Sequence, residues 1–291
     1  MSLKKKYVLA AVLSALLSAL NAPFAKLLMT DCDSTMLGAW LYLGAGLGTL
    51  VIYLVKQDFS DHFEKKDYKY LVLMVMCDIL AVIFLMKGLS LTSSATVSLL
   101  SNFEIVATAL IAYLIFKEKI SLNLRIAIVL ITIAGILLSL QNGDYSFSSG
   151  GLLVIMATLA WGLENNCTKS LANHDPLKVT AIKGLGTGIG SLVIALSIGQ
   201  KLPGGYDLMM IMLLGFVSYG LSVTLYIYAQ RKLGAGTTSA YYALAPFIST
   251  ILSLVIFKEI PGANYWIGLM IMIVAVYLLN RENLSHNQRL D

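Results

Sequence analysis

The sequence has little charge: Asp, Glu, Lys and Arg together make 13% of its 291 residues. A soluble domain usually carries about 25%. A chain this poor in charge could not cover its surface with groups that water solvates, and 58% of its residues are hydrophobic. Lipid is therefore the expected solvent for most of that surface, in line with a mean hydropathy of +0.79. Cysteine is scarce too. Cys32, Cys77 and Cys167 are far apart and odd in number, so neither a disulfide framework nor a zinc spacing follows. Histidine occurs only as His62, His174 and His286, all in polar segments between or after the apolar runs. This argues against a buried histidine base, and so against an intramembrane serine protease. There is no His-Glu-x-x-His for a metalloprotease. No enzyme activity, cofactor or metal is expected.

What is present is a succession of apolar runs. A helix needs about 20 apolar residues to cross the hydrocarbon core. The first run follows Lys4, Lys5 and Lys6 and starts at Tyr7. It is too long for a signal-peptide core and has no small-residue cleavage site, so it reads as a first span. Ten spans are expected, at about residues 7–28, 34–55, 69–89, 94–116 and 122–140, then 150–169, 177–198, 207–229, 235–257 and 262–280. With the N-terminus inside, nearly every Lys and Arg between spans falls on the cytoplasmic side. Only Lys87, Lys201 and Lys258 fall outside, and Lys26 and Lys183 lie within spans. Both termini are thus expected in the cytoplasm. The net charge of +5 is placed by this bias and needs no nucleic acid to explain it.

The two halves resemble each other. Ile115-Phe116-Lys117-Glu118 ends the fourth span and Ile256-Phe257-Lys258-Glu259 the ninth. At the same offset Thr96 meets Thr237, Ser98 meets Ser239 and Asn123 meets Asn264. Five spans per repeat is an odd number, so the second half must enter the membrane from the opposite side. The expected fold is an all-α integral membrane protein of ten transmembrane helices in two inverted five-helix repeats. Residues 1–143 and 144–284 form the repeats, and 285–291 a cytoplasmic tail. Inverted repeats are a transporter architecture, with the substrate site near mid-membrane between the halves.

These repeated endings, with Ala160-Trp161-Gly162 in the sixth span, resemble the EamA domains of the drug/metabolite transporter superfamily over nearly the whole chain. The resemblance implies a carrier whose central cavity is lined by helices one to four and six to nine, with helices five and ten peripheral. The chain departs from a common family pattern at Glu104, where many members have proline; its second half has Pro246 nearby.

Ionisable groups inside a membrane are costly and usually functional. Asp78, Glu104 and Glu164 are the candidate carboxylates. Ser94, Ser98, Ser101, Glu104 and Thr108 share one helical face, and Ser239, Tyr242, Ala245 and Ser249 share the related face of the ninth span. Cavity lining and helix packing both account for the serines; a carboxylate points to a cavity. Trp161, Glu164, Asn165 and Thr168 form another face. A carboxylate, a carboxamide and an indole there can hold a cation, or Glu164 can pair with Lys183. Lys183 either snorkels to the interface or faces the cavity, and Lys26 reads as snorkelling. Asp78 stands among Met, Ala and Leu with no partner evident. Ser14, Ser18 and Asn21 form a polar face before Pro23, and Tyr219, Ser222, Tyr226 and Gln230 another on the eighth span. Pro23 and Pro246 free the carbonyls of Ala19 and Tyr242. Glycines four apart, such as Gly44 with Gly48 and Gly184 with Gly188, fit close helix contact.

The candidate substrate or ion site is therefore Asn21, Asp78, Ser98, Ser101, Glu104, Trp161, Glu164, Asn165, Lys183, Tyr219 and Tyr242. The spans carry one more carboxylate than ammonium, which favours a cationic or zwitterionic solute such as an amine or amino acid. The expected function is a secondary alternating-access carrier in the plasma membrane, that of a bacterium most simply. Its partners are a small molecule, the lipid bilayer and, if it is coupled, protons, and it acts as a monomer or homodimer. A channel or lipid scramblase with the same helical core is the alternative.

Overall fold

The computed structural model describes residues 3–56, 60–117, 122–139, 148–171, 173–258 and 261–287. Its ordered segments are helical and no strand occurs among the described residues. The helices are α1 (Leu3–Ala19), α2 (Asn21–Leu28), α3 (Ser34–Lys56), α4 (Lys65–Leu91), α5 (Ser94–Leu100), α6 (Phe103–Phe116), α7 (Leu122–Ser139), α8 (Ser149–Ser170) and α9 (Pro176–Ser197). After α10 (Gly205–Gly215) comes a π-helical turn (Phe216–Leu221), then α11 (Ser222–Tyr242), α12 (Ala245–Phe257) and α13 (Ala263–Asn287). The helix starts follow their sequence signals. Ser93 accepts from the Thr96 N–H, Ser148 from Gly151, and Asp175 from Leu177 just before Pro176.

Among the described residues, six stretches are long and apolar enough to cross a bilayer: Lys5–Leu28, Ser34–Lys56, Lys65–Leu91, Ser94–Ile115, Pro176–Ser197 and Gly205–Ala229. Shorter apolar helices cover 125–138, 245–257 and 263–278. Large side chains such as Val55, Leu114, Val193 and Val255 point outward and are more than half exposed. In water such a surface would aggregate; in a bilayer it faces acyl chains. The chain is a multi-pass membrane protein.

Several spans are interrupted where their chemistry demands it. Pro23 has no N–H to return to Ala19, and α1 ends at Ala19. Pro246 has none for Tyr242, and α11 ends at Tyr242. A connection at about 230–234 was expected between the eighth and ninth spans. The helix instead runs on through it and breaks at Ala243–Leu244, because the missing proline donor lies there. The fourth span also breaks, at Ser101–Asn102, without a proline. Asn102 N–H bonds Leu99 O and Glu104 N–H bonds Ser101 O, a tighter i to i−3 pattern. This break lies opposite the one at Ala243–Leu244 in the repeat. Lys117 and Lys258 both end their helices in the left-handed region, with φ of 53° and 51°. They are the repeated lysines of the two Ile-Phe-Lys-Glu motifs. Glu118 and Glu259, which follow them, lie outside the described residues.

The packing respects the repeat. α4, the third span of the first half, lies along α8, the first span of the second. The same pair with the halves exchanged is α11 with α1, and they also lie together. α3 runs along α9, α5 meets α12, and α7 packs on α13. Small residues permit these approaches in the absence of a hydrophobic drive between helices in lipid. A Cβ on Gly184 would overlap the backbone of Gly46, and one on Gly44 the backbone of Met212.

Candidate functional site

At the middle of α4, Asp78 is fully buried. Its Oδ1 accepts hydrogen bonds from the Tyr42 hydroxyl on α3 at 3.0 Å and from Trp161 Nε1 on α8 at 2.9 Å. Its Oδ2 accepts from the Thr187 hydroxyl on α9 at 3.3 Å and lies 3.6 Å from Lys183 Nζ. Lys183 also reaches Glu164 Oε2 at 3.1 Å. Glu164 is buried, and its Oε1 accepts from Thr168 one turn along α8. One ammonium is thus shared by two buried carboxylates, and four different helices converge on the cluster.

Glu104 lies beside this group, two residues past the break in the fourth span. Its Oε1 accepts from Asn165 Nδ2 at 2.6 Å, and the same amide lies 3.2 Å from the Thr108 hydroxyl. Asn165 follows Glu164 directly, so α8 carries the two carboxylate neighbourhoods side by side. Glu104 is only partly buried, as are Trp161, Asn165, Lys183, Tyr219 and Tyr242. Partial exposure of residues from the inner parts of several spans marks a space between the helices. Aromatic rings border it: Tyr42 on Tyr219 at 4.7 Å between centroids, and Tyr226 edge-on to Tyr242 at 5.0 Å.

Of the expected site residues, Asp78, Trp161, Glu164 and Lys183 meet in one cluster, and Glu104 meets Asn165. Tyr219 joins through Tyr42, and Asn21 lies beside Tyr219. Tyr242 bonds Ser18 at 2.8 Å. The serine stripe does not stay on one wall, because the break at Ser101–Asn102 divides it. Ser98 donates to the Ser94 carbonyl and meets Ser249 of α12 at 2.8 Å, while Ser101 donates back to the Val97 carbonyl. The side chains of Ser239 and Gln230 lie outside the described residues.

Two readings change. Asp78, whose partner the sequence did not name, is held by Tyr42, Trp161, Thr187 and Lys183. Lys26 does more than snorkel: its Nζ donates to the carbonyls of Leu89 at 2.5 Å and Thr92 at 2.9 Å, capping the end of α4. It leaves the charge count of the centre, which then has three carboxylates to one ammonium. Tyr42 and Thr187 were missed. Thr187 had a signal, since it sits one helical turn beyond Lys183 on the same face. Tyr42 had none within its own span.

Among the described residues no group of three or more His, Cys, Asp or Glu is arranged to hold a metal. An open groove of about 460 Å³ lies elsewhere, lined by Gly44, Leu47, Leu208, Met212 and Phe216 among others. It has no charged group and suits an acyl chain, whereas selection of a polar solute requires the buried polar cluster.

The model of the EamA-like transporter family matches residues 5–140 and again 148–281. An uncharacterized transporter of Methanothermobacter thermautotrophicus is 24% identical over 283 residues, covering 89% of this chain and 82% of that protein. An uncharacterized transporter of Clostridium kluyveri is 23% identical over 236 residues, covering 76% of this chain and 75% of its own. A solved crystal structure of a protein superposes with a TM-score of 0.69 over 94% of both chains at 16% identity, a likeness of fold alone.

Proposed function

Because the chain belongs to the EamA-like transporter family, we propose that it is a secondary alternating-access carrier for a small cationic or zwitterionic metabolite, such as an amine or amino acid. In this reading ten spans in two inverted five-helix repeats, 1–143 and 144–284, cross the plasma membrane with both termini in the cytoplasm. One observation carries the choice of substrate class. Asp78 and Glu164 share a single ammonium, Lys183, and Glu104 lies beside them on Asn165. Ionised carboxylates removed from water need partners, and this centre has fewer cations than anions. A positively charged substrate supplies one partner and a proton another.

Glu104 is the proposed proton carrier. It touches neither Lys183 nor Asp78, and its one hydrogen-bonding partner among the described residues is Asn165. Asp78 and Glu164 are the proposed substrate carboxylates, with Trp161 and Tyr42 fixing Asp78. Uptake of amines and amino acids by proteoliposomes, with and without an imposed pH gradient, tests the reading. Saturable, gradient-driven uptake of one class is expected. Glu104→Gln should abolish the response to the gradient and spare downhill exchange, because Gln keeps the size and cannot titrate. Non-saturating flux would overturn the carrier in favour of a channel or scramblase. A wild type indifferent to the gradient would remove proton coupling.

A further inference from the structure

We propose that Asp78 and Glu164 form a cation seat whose resident occupant is Lys183, and that an incoming alkylammonium substrate displaces it. The proposal rests on the carrier reading and gives the central lysine a role in selecting the substrate.

The two carboxylates are fixed and the ammonium is not. Asp78 is held by Tyr42, Trp161 and Thr187, and Glu164 by Thr168. Their side chains are 0% and 2% exposed, whereas that of Lys183 is 15% exposed. Lys183 is therefore the member of the cluster whose side chain is partly exposed. Its ammonium arrives on a four-carbon stem with free rotors, and it is itself an alkylammonium ion. Whatever geometry the oxygens offer Lys183, they offer any primary amine of similar reach.

Displacement also leaves the lysine a place to go. Glu104 is a third carboxylate beside the cluster, bonded to the Asn165 amide and to no cation. A released Lys183 can turn to Glu104, or to the carboxylate of a zwitterionic substrate. Charge then balances better than in the empty centre, because a second cation has entered among three carboxylates. Asn21 adds an unmet acceptor. It is 9% exposed, its Oδ1 has no hydrogen-bond partner, and it adjoins Tyr219, whose ring stacks on Tyr42. A buried acceptor in that state favours a ligand with N–H groups. A permanent structural bridge would call for neither the surplus carboxylate nor a partly exposed lysine.

The test is chemical complementation. Lys183→Ala vacates the seat, and propylammonium replaces the lost side chain. Thermal unfolding of the purified protein is followed against propylammonium at constant ionic strength. The variant should be stabilised at a concentration about tenfold lower than the wild type needs, since a ligand stabilises the state it binds. Adding Glu164→Gln should abolish that response. A variant no more sensitive than wild type overturns the proposal. If Lys183→Ala does not fold, the wild type answers by another route. The rate of Lys183 acetylation relative to that of the exposed Lys66, read by mass spectrometry, should rise several-fold with propylammonium, the reference lysine correcting for reagent that the amine consumes. An unchanged rate overturns displacement. The two readings fail separately: complementation without any flux sinks the carrier and keeps the seat, and flux without complementation does the reverse.

Discussion

At the lysine-rich end of the molecule, the segments that precede α4 and α9 meet through charge. Lys56 reaches Asp175 at 2.5 Å, and His174 lies between Asp61 at 2.7 Å and Asp67 at 3.2 Å. Lys178 bonds the Asp61 carbonyl at 2.5 Å and sits over the Phe63 ring at 4.1 Å. At the other end, the segments before α3 and α10 meet more sparingly. Gln200 accepts from the Met36 N–H at 2.8 Å, and Asp33 from the Lys201 N–H at 3.4 Å. The repeat makes these ends counterparts, since α3 and α9 are second spans and α4 and α10 third spans of their halves. In the proposed carrier these two ends serve as the gates; their backbones are equivalent and their side chains are not. A carrier needs both facing states within a few kcal/mol of each other. The lysine-rich end carries the partly buried ion pairs and the other end only the two neutral-donor bonds, so the proposed carrier should open its lysine-rich gate at the greater cost.

Three substitutions separate what the ends share from what they do not. Gly184→Leu should have the largest effect, because Gly184 meets the Gly46 backbone where α3 packs on α9, the helix pair that runs between the two ends. Overpacking at a backbone contact costs about 3 kcal/mol, so the melting temperature should fall and both ends should lose hydrogen-exchange protection together. Loss at one end alone would show that the gates are independent. Asp61→Asn comes next. It weakens charged hydrogen bonds to His174 and to the Asp175 N–H, for roughly 2 kcal/mol. Exchange should rise at the starts of α4 and α9 and stay unchanged at the start of α3, which lies at the other end. The matching change at the other end, Gln200→Ala, removes one neutral hydrogen bond and should cost about 1 kcal/mol or less. Equal costs would erase the proposed asymmetry.

The same contrast has a pH signature. Partial burial works to raise the Asp61 carboxyl, and the Asp175 N–H, His174 and Lys178 outweigh it, leaving Asp61 below the usual carboxylate range. A group depressed in the folded state stabilises it above the unfolded value, near ~4 for aspartate, and that stability fades as pH falls through the folded value. Its contribution should hold from neutral pH to about 5 and be lost only below about 4. Asp61→Asn should remove that acid limb of exchange at the lysine-rich end. A limb that survives the substitution belongs to another group.

Much of the architecture was legible in the sequence because it repeats or breaks a rule locally. The doubled Ile-Phe-Lys-Glu announced two related halves, and Pro23 and Pro246 announced two helix ends. The Glu164–Lys183 pair was readable from depth and side alone. The surroundings of Asp78 were not. Its partners lie on three other helices, far away in the chain, and no local pattern encodes which faces a bundle will bring together. The break at Ser101–Asn102 and the π-helical turn at Phe216–Leu221 carry no proline either. They arise from packing, and they reorder faces that a regular period would keep aligned.

The smallest expected effect tests the equivalence of the backbones themselves. Lys117 and Lys258 adopt φ of 53° and 51°, a left-handed conformation that costs an L-residue with a Cβ about 1 kcal/mol or more. Both end a helix, where glycine usually occupies this position. Glycine removes the Cβ clash but brings a larger loss of backbone entropy on folding, so only part of that strain is recovered. Lys117→Gly and Lys258→Gly should each stabilise the protein by about 0.5 kcal/mol, and the two together by the sum, because the sites are well separated. The lysine side chains are exposed, so little contact is lost in exchange. The gains should match between the halves even though one lysine is expected inside the cell and the other outside. A stabilisation at one site and a loss at the other would mean that a side-chain contact, and not the repeated backbone turn, dictates the conformation of that lysine.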